Sequence, residues 1–116
     1  MESIDVEAKV ISYLNAAGLP AIAYADVPAS RPESFITVER VGGNRDNYVF
    51  DRPMIAVQCW AESRRKAAAL AYRVDDVLPG IDQQPGVNSC RRNSLYNFPA
   101  ADSPRYQATY DLVTTY

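Results

Sequence analysis

Apolar residues along this chain recur first at helical spacing and then in alternation. Val10, Ile11, Leu14 and Ala17 lie three and four apart and predict one apolar face of a helix from about Ile4 to Ala17. Ser3 or Asp5 can cap its start, and Glu7 complements the positive end of its dipole. Gly18-Leu19-Pro20 then reads as a stop: glycine for the left-handed position, an apolar residue behind it, and a proline that cannot continue. The short apolar run Ala21 to Val27 predicts a strand, broken by the Pro28 to Pro32 segment. From Ser34 to Val41, Phe35, Thr37 and Glu39 alternate with Ile36, Val38 and Arg40, the period of a strand with one polar face. Gly42-Gly43 is expected to end it. Met54 to Ala61 predicts the next strand, with Ile55, Val57 and Cys59 opposing Met54, Ala56, Gln58 and Trp60.

A second helix is predicted from Arg64 to Leu78, behind Ser63 as cap. Ala67, Leu70, Ala71, Val74 and Leu78 form its apolar stripe, and the small alanines let it lie close against a sheet. Pro79-Gly80 stops it. Val87 to Tyr96 alternates only in part and is read as a strand. After the turn-rich stretch Phe98 to Pro104, Tyr106, Ala108, Tyr110 and Leu112 alternate with Gln107, Thr109 and Asp111, the clearest strand period in the chain. The order α-β-β-β-α-β-β predicts an α+β fold, an antiparallel sheet covered by two helices in a sandwich. Leu14, Trp60, Leu70 and Val74 are expected at the centre of its core. With 116 residues the chain is read as one domain, residues 1–116.

Composition adjusts this picture little. With 47% apolar and 22% charged residues, the chain has the balance of a folded protein and not of a disordered one. A net charge of -2 supplies no field that would draw it to nucleic acid or an anionic membrane. All the positive charge but Lys9 and Lys66 is arginine, whose planar fork suits interfaces, although a GC-rich genome gives the same bias. Early acids replace the basic start of a signal peptide and no apolar run reaches about 18 residues, so the expectation is a cytosolic protein outside the membrane. Cys59 and Cys90 read either as a disulfide or as two buried thiols, and a cytosolic chain of this size favours the thiols.

Candidate chemistry is sparse. The chain has no histidine, which removes the commonest general base and the commonest transition-metal ligand. Two isolated cysteines do not make a zinc site, and Gly42-Gly43 lacks the lysine and the following helix of a phosphate cradle. Adjacent carboxylates on a helix point about 100° apart, so Asp75-Asp76 reads as a solvated helix end rather than a proton-sharing pair. Arg64-Arg65-Lys66 reads first as a solvated face, and it and Arg91-Arg92 are too small a basic field for nucleic acid. The expectation is therefore no enzyme, no metal and no cofactor.

Surfaces carry the stronger signal. Eight tyrosines exceed what a core of this size requires, and tyrosine is enriched at interfaces. Tyr48 and Phe50 sit in the Gly42 to Arg52 connection beside Arg45, Asp46, Asp51 and Arg52. Aromatic and mixed-charge residues there read as contacts with another subunit, or as packing of the loop on its own sheet. Arg45, Asp46, Tyr48, Phe50, Arg52, Arg91 and Arg92 are the candidate interface residues.

Three segments carry a family resemblance: Ile55-Ala56-Val57-Gln58-Cys59-Trp60-Ala61; the Ser63 helix start leading through Ala67-Ala68-Ala69-Leu70-Ala71 to Val77-Leu78; and Phe98-Pro99 through Ser103-Pro104-Arg105-Tyr106-Gln107-Ala108-Thr109-Tyr110. In that order the chain resembles the tail terminator, or tail completion, proteins of long non-contractile-tailed phages and prophages. The resemblance implies an α+β sandwich that forms a homo-oligomeric ring, a hexamer. Such a ring sits on the major tail tube protein, ends tail polymerisation and offers a surface to the head-tail connector protein. It also implies assembly in the host cytoplasm and a place at the head-proximal end of the virion tail, without sequence recognition of nucleic acid. Two other classes remain open: a head-to-tail connector, stopper or minor tail protein, and a small ligand-binding or enzymatic domain.

Overall fold

The first helix starts at Asp5, whose Oδ1 accepts the backbone N–H of Ala8 at 3.1 Å and so satisfies one of the donors a helix start leaves unpaired. In this computed structural model, which describes residues 5–45 and 49–115, α1 spans Val6–Ala16 and buries Val6, Val10 and Leu14. Gly18, at φ +75°, takes the left-handed position that ends it. The second helix, α2 (Arg64–Val77), is capped by Ser63, whose Oγ accepts the N–H of Lys66 at 3.2 Å. Pro79-Gly80 ends the α-helix without ending helical geometry, because the chain continues as a 3-10 turn over Leu78–Gln83 that buries Leu78 and Ile81.

Five strands form one sheet: β1 (Ala23–Tyr24), β2 (Phe35–Arg45), β3 (Phe50–Trp60), β4 (Val87–Asn97) and β5 (Arg105–Thr115), in the spatial order β1-β2-β3-β5-β4. The fold is α+β, with the sheet mixed rather than wholly antiparallel: β1 runs parallel to β2 and every other neighbouring pair is antiparallel. The four long strands have eleven residues each, and at ~3.3 Å per residue they set the long axis of a molecule measuring 42 × 26 × 24 Å.

Gly42-Gly43 does not end β2. The strand runs on to Arg45, pairing Gly43 with Pro53, Asn44 with Arg52 and Arg45 with Asp51, after a register shift between Arg40 and Gly42. Gly43 has φ +92°, and a Cβ there would meet the carbonyl oxygen of Arg52, so these glycines permit a bulge inside a hairpin.

Both helices and the 3-10 turn cover the same face of the sheet. Val10 and Leu14 of α1, Leu70, Ala71 and Val74 of α2, and Leu78 and Ile81 pack there on Ile36, Val38, Ile55, Val57, Cys59, Tyr110 and Leu112. Trp60 is not among them. It is buried, at 7% exposure, on the opposite face, stacked on Phe35 with ring centroids 5.2 Å apart. Alternation assigns Trp60 the face opposite Cys59, and it is Cys59 that faces the helices.

Candidate assembly surface

The sheet face turned away from the helices carries two side-chain systems. Across four strands runs a polar ladder. The indole Nε1 of Trp60 donates to Thr37 Oγ1 at 3.1 Å, Thr37 Oγ1 donates to Gln58 Oε1 at 2.7 Å, Gln58 Nε2 donates to Gln107 Oε1 at 2.8 Å, and Gln107 donates to the Tyr96 hydroxyl. Gln58 Nε2 also donates to Glu39 Oε1 at 2.9 Å. Thr37, Gln58 and Gln107 are buried although no helix covers them, and among the described residues no buried side-chain nitrogen or oxygen lacks a partner. Satisfied amide rows of this kind fix the strand register and stiffen the sheet.

Beside the ladder, at the sheet end away from the β2–β3 hairpin, aromatic rings and arginines form a continuous stripe. Tyr24 meets Phe35 edge-on at 6.5 Å, Phe35 stacks on Trp60, and the Arg105 guanidinium lies 4.8 Å from the Trp60 ring and 4.7 Å from the Phe98 ring. Phe98 meets Tyr96 at 5.6 Å. Arg31 reaches in from the 25–34 connection, 5.3 Å from the Trp60 ring, and donates to Ser103 Oγ at 3.1 Å. Sequence reading missed the stripe. Phe35, Trp60 and Arg105 share one cross-strand level, which only the pairing register reveals, and Arg31 lies in a loop with no periodic signal.

The candidate interface residues distribute from the hairpin end of the sheet to its middle. Arg45 is the last residue of β2; Asp46 and Tyr48 lie outside the described residues. Phe50 opens β3 half-buried opposite Thr115, and with Arg52, Ser89 and Val113 it lines an open hollow. Arg52 also lines a second hollow with Arg91, Asn93 and Asp111. Thus Phe50, Arg52 and Arg91 come together on one face. Arg92 also lines the second hollow, but its guanidinium turns to α2, with its Nε 3.1 Å from Asp75 Oδ2.

Asp75 is therefore no solvated helix end. Its other oxygen accepts the hydroxyl of the buried Tyr110 at 3.0 Å, so one carboxylate ties α2 to both β4 and β5. Asp76 is exposed, and so are Arg64, Arg65 and Lys66, the last in an i,i+4 ion pair with Glu62 at 3.5 Å. Burial pushes the thiols of Cys59 and Cys90 up to about 12; at Cys90 the nearby Asp82, Asp75 and Asp111 add to it. Burial, then Asp75, raises Tyr110 as well. Both cysteines are free thiols and buried. Among the described residues no group of three or more potential ligands is placed to hold a metal ion, and no helix is long and apolar enough to cross a membrane.

No protein-family model matches the chain, and no curated protein matches it either.

Proposed function

We infer that this protein is a structural virion component, a subunit of a ring that caps the tail tube of a long-tailed phage, ends its polymerisation and offers a surface for head joining. The reading starts from the resemblance carried by the Ile55–Ala61, Ser63–Leu78 and Phe98–Tyr110 segments. The observation that supports it is the sheet: a stiff five-stranded platform, laddered on its uncovered face, with large apolar side chains exposed beside both edges, Ile22 and Val27 at one and Tyr96 and Phe98 at the other. Exposed apolar residues at two separate places on one small protein suit a subunit that contacts neighbours on both sides.

Polymerising the tube protein with and without this chain tests the reading. Tubes ended by a ring at limited length are expected with it, and overlong, uncapped tubes without it. A head-to-tail connector or stopper would instead leave tube length unchanged and alter head joining alone. Replacing Tyr48 and Phe50 by Ser tests the hairpin: a variant that folds but caps poorly supports hairpin contacts, whereas wild-type capping would make the hairpin a plain surface loop.

A further inference from the structure

The two edges of the sheet are finished differently. At the β1–β2 edge, α1 supplies side chains that occupy the backbone. The Asn15 amide accepts the N–H of Ala23 at 2.8 Å and donates to its carbonyl at 3.1 Å, and Glu7 Oε2 accepts the N–H of Arg40 at 2.7 Å. This edge cannot be extended by another strand at those positions, so whatever meets it must do so through side chains. At the other edge, β4 is the outermost strand and is interrupted by register shifts at Asn88 and Asn93, which also discourage strand addition.

The pairing register sets these edges level with one another. Tyr24 pairs with Thr37, Thr37 with Gln58, Gln58 with Gln107 and Gln107 with Tyr96, so Tyr24 and Tyr96 stand at one height on opposite edges. Two residues farther from the hairpin, Ile22, whose carbonyl receives the N–H of Ile36, lies at the height of Phe98, whose N–H donates to the carbonyl of Arg105. Both are solvent-exposed, at 57% and 44%. Toward the hairpin, Arg40 pairs with Ile55, Ile55 with Tyr110 and Tyr110 with Arg92. The Glu7 carboxylate on the Arg40 N–H is therefore level with the Arg91-Arg92 pair across the sheet. Exposed Asp26, two residues past the end of β1, adds a second acid to the Glu7 side. Among the described residues neither Asp26 nor Arg91 is in an ion pair. Each edge thus presents an apolar group and then a charged group in the same order along the strands: Glu7 beside the Arg40–Asp51 pair at one edge, and Arg91 beside its cross-strand partner Asp111 at the other.

We propose that copies of this chain join head to tail, the β4 edge of one against the β1–β2 edge of the next, with Tyr96 and Phe98 on Tyr24 and Ile22 and with Arg91 facing Glu7 and Asp26. The proposal rests on the ring reading and names the surfaces that close the ring. Contacts between two different edges are heterologous, the class that generates rings when the rotation closes. The complementary charges set orientation: turning one copy around would place Arg91 against apolar Ile22 and the acids against Phe98.

Single cysteines at Ile22→Cys and Phe98→Cys, in full-length protein whose native thiols are buried, test it by disulfide formation under mild oxidation. Mixing the two variants should give a linked dimer that neither gives alone, and the double variant should give a ladder of linked multimers. Charge reversals supply an independent arm: Asp26→Arg and Arg91→Glu should each weaken association about tenfold or more, and the combination should recover most of it. Self-linking of either single variant shows a two-fold contact and overturns the proposal. So do rings on tail tubes that form without these links and ignore both reversals, an outcome that leaves the ring reading standing. Links that build only open filaments uphold the edge contact and remove the ring.

Discussion

At single residues, the largest expected losses come from apolar cores and from polar groups that have no second choice of partner. Leu70 is 5% exposed between α2 and the sheet, and Leu70→Ala should lower unfolding free energy by about 2–5 kcal/mol in urea titration, through lost burial and the cavity left behind. Thr37→Val keeps the shape but removes the oxygen that serves both Trp60 Nε1 and Gln58 Oε1. Stranding those groups should cost about 1–3 kcal/mol and alter Trp60 fluorescence in the folded state. Cys59 and Cys90 should resist thiol reagents near neutral pH until the protein unfolds, because burial holds them protonated. Their folded values, about 12, lie above the 9.0 of the open chain, so between these limits the unfolded state carries fewer protons than the folded one. Stability is then complete below about pH 9 and falls as pH rises toward 12. Tyr110 shifts in the same direction and adds to the fall. Replacing both cysteines by Ala should make that alkaline slope shallower in pH-dependent denaturation, and an unchanged slope would assign it to Tyr110 and other groups.

At the level of elements, helix starts were legible because capping is local chemistry. Asp5 and Ser63 stand where their side chains reach backbone donors three residues ahead. Ser63→Ala should cost about 1 kcal/mol by thermal or urea unfolding, with the first turn of α2 losing amide protection first. Glycines were harder to interpret, since the same residue can break a strand or bend it. Gly42-Gly43 bends one, and Gly43→Ala should destabilise the hairpin by more than the usual gain from replacing glycine, because neither a positive φ nor the Arg52 carbonyl can accommodate the new methyl. Protection of the amides around Asn44 and Arg52 should fall while the α1 and α2 amides change little. Strand β1 shrank to two residues because Asn15 occupies its outer edge and the chain must turn back through 25–34 to begin β2.

For the whole molecule, the proposed edge-to-edge contact would make association a salt-dependent rate, through the charged ends of the two sheet edges. Raising ionic strength should slow ring or cap formation, measured by light scattering, while leaving the unfolding midpoint of the monomer almost unmoved, because exposed charges contribute little to folding. Equal salt effects on both would mean that the charges act on the fold. The clamp of Asp75 on Tyr110 and Arg92 belongs to this scale as well: it joins a helix near mid-chain to the last two strands, across 35 residues in the case of Tyr110.

Period and caps in the sequence by themselves determined both helices, the presence of the four long strands and the alternation of faces in the regular stretches Phe35 to Arg40, Ile55 to Trp60 and Tyr106 to Leu112. Those properties depend on neighbours a few residues away, and the α+β class follows from their order. Only the tertiary structure decided which face of β3 meets the helices, since burial is continuous from Ile55 to Trp60 and apolar content cannot distinguish two buried sides. It also decided the parallel pairing of β1, the insertion of Arg31 beside Trp60 and the register shifts that interrupt β4 at Asn88 and Asn93. Each of these depends on strand pairing between segments far apart in the chain, and pairing register is set by the packing of the whole sheet rather than by any local pattern.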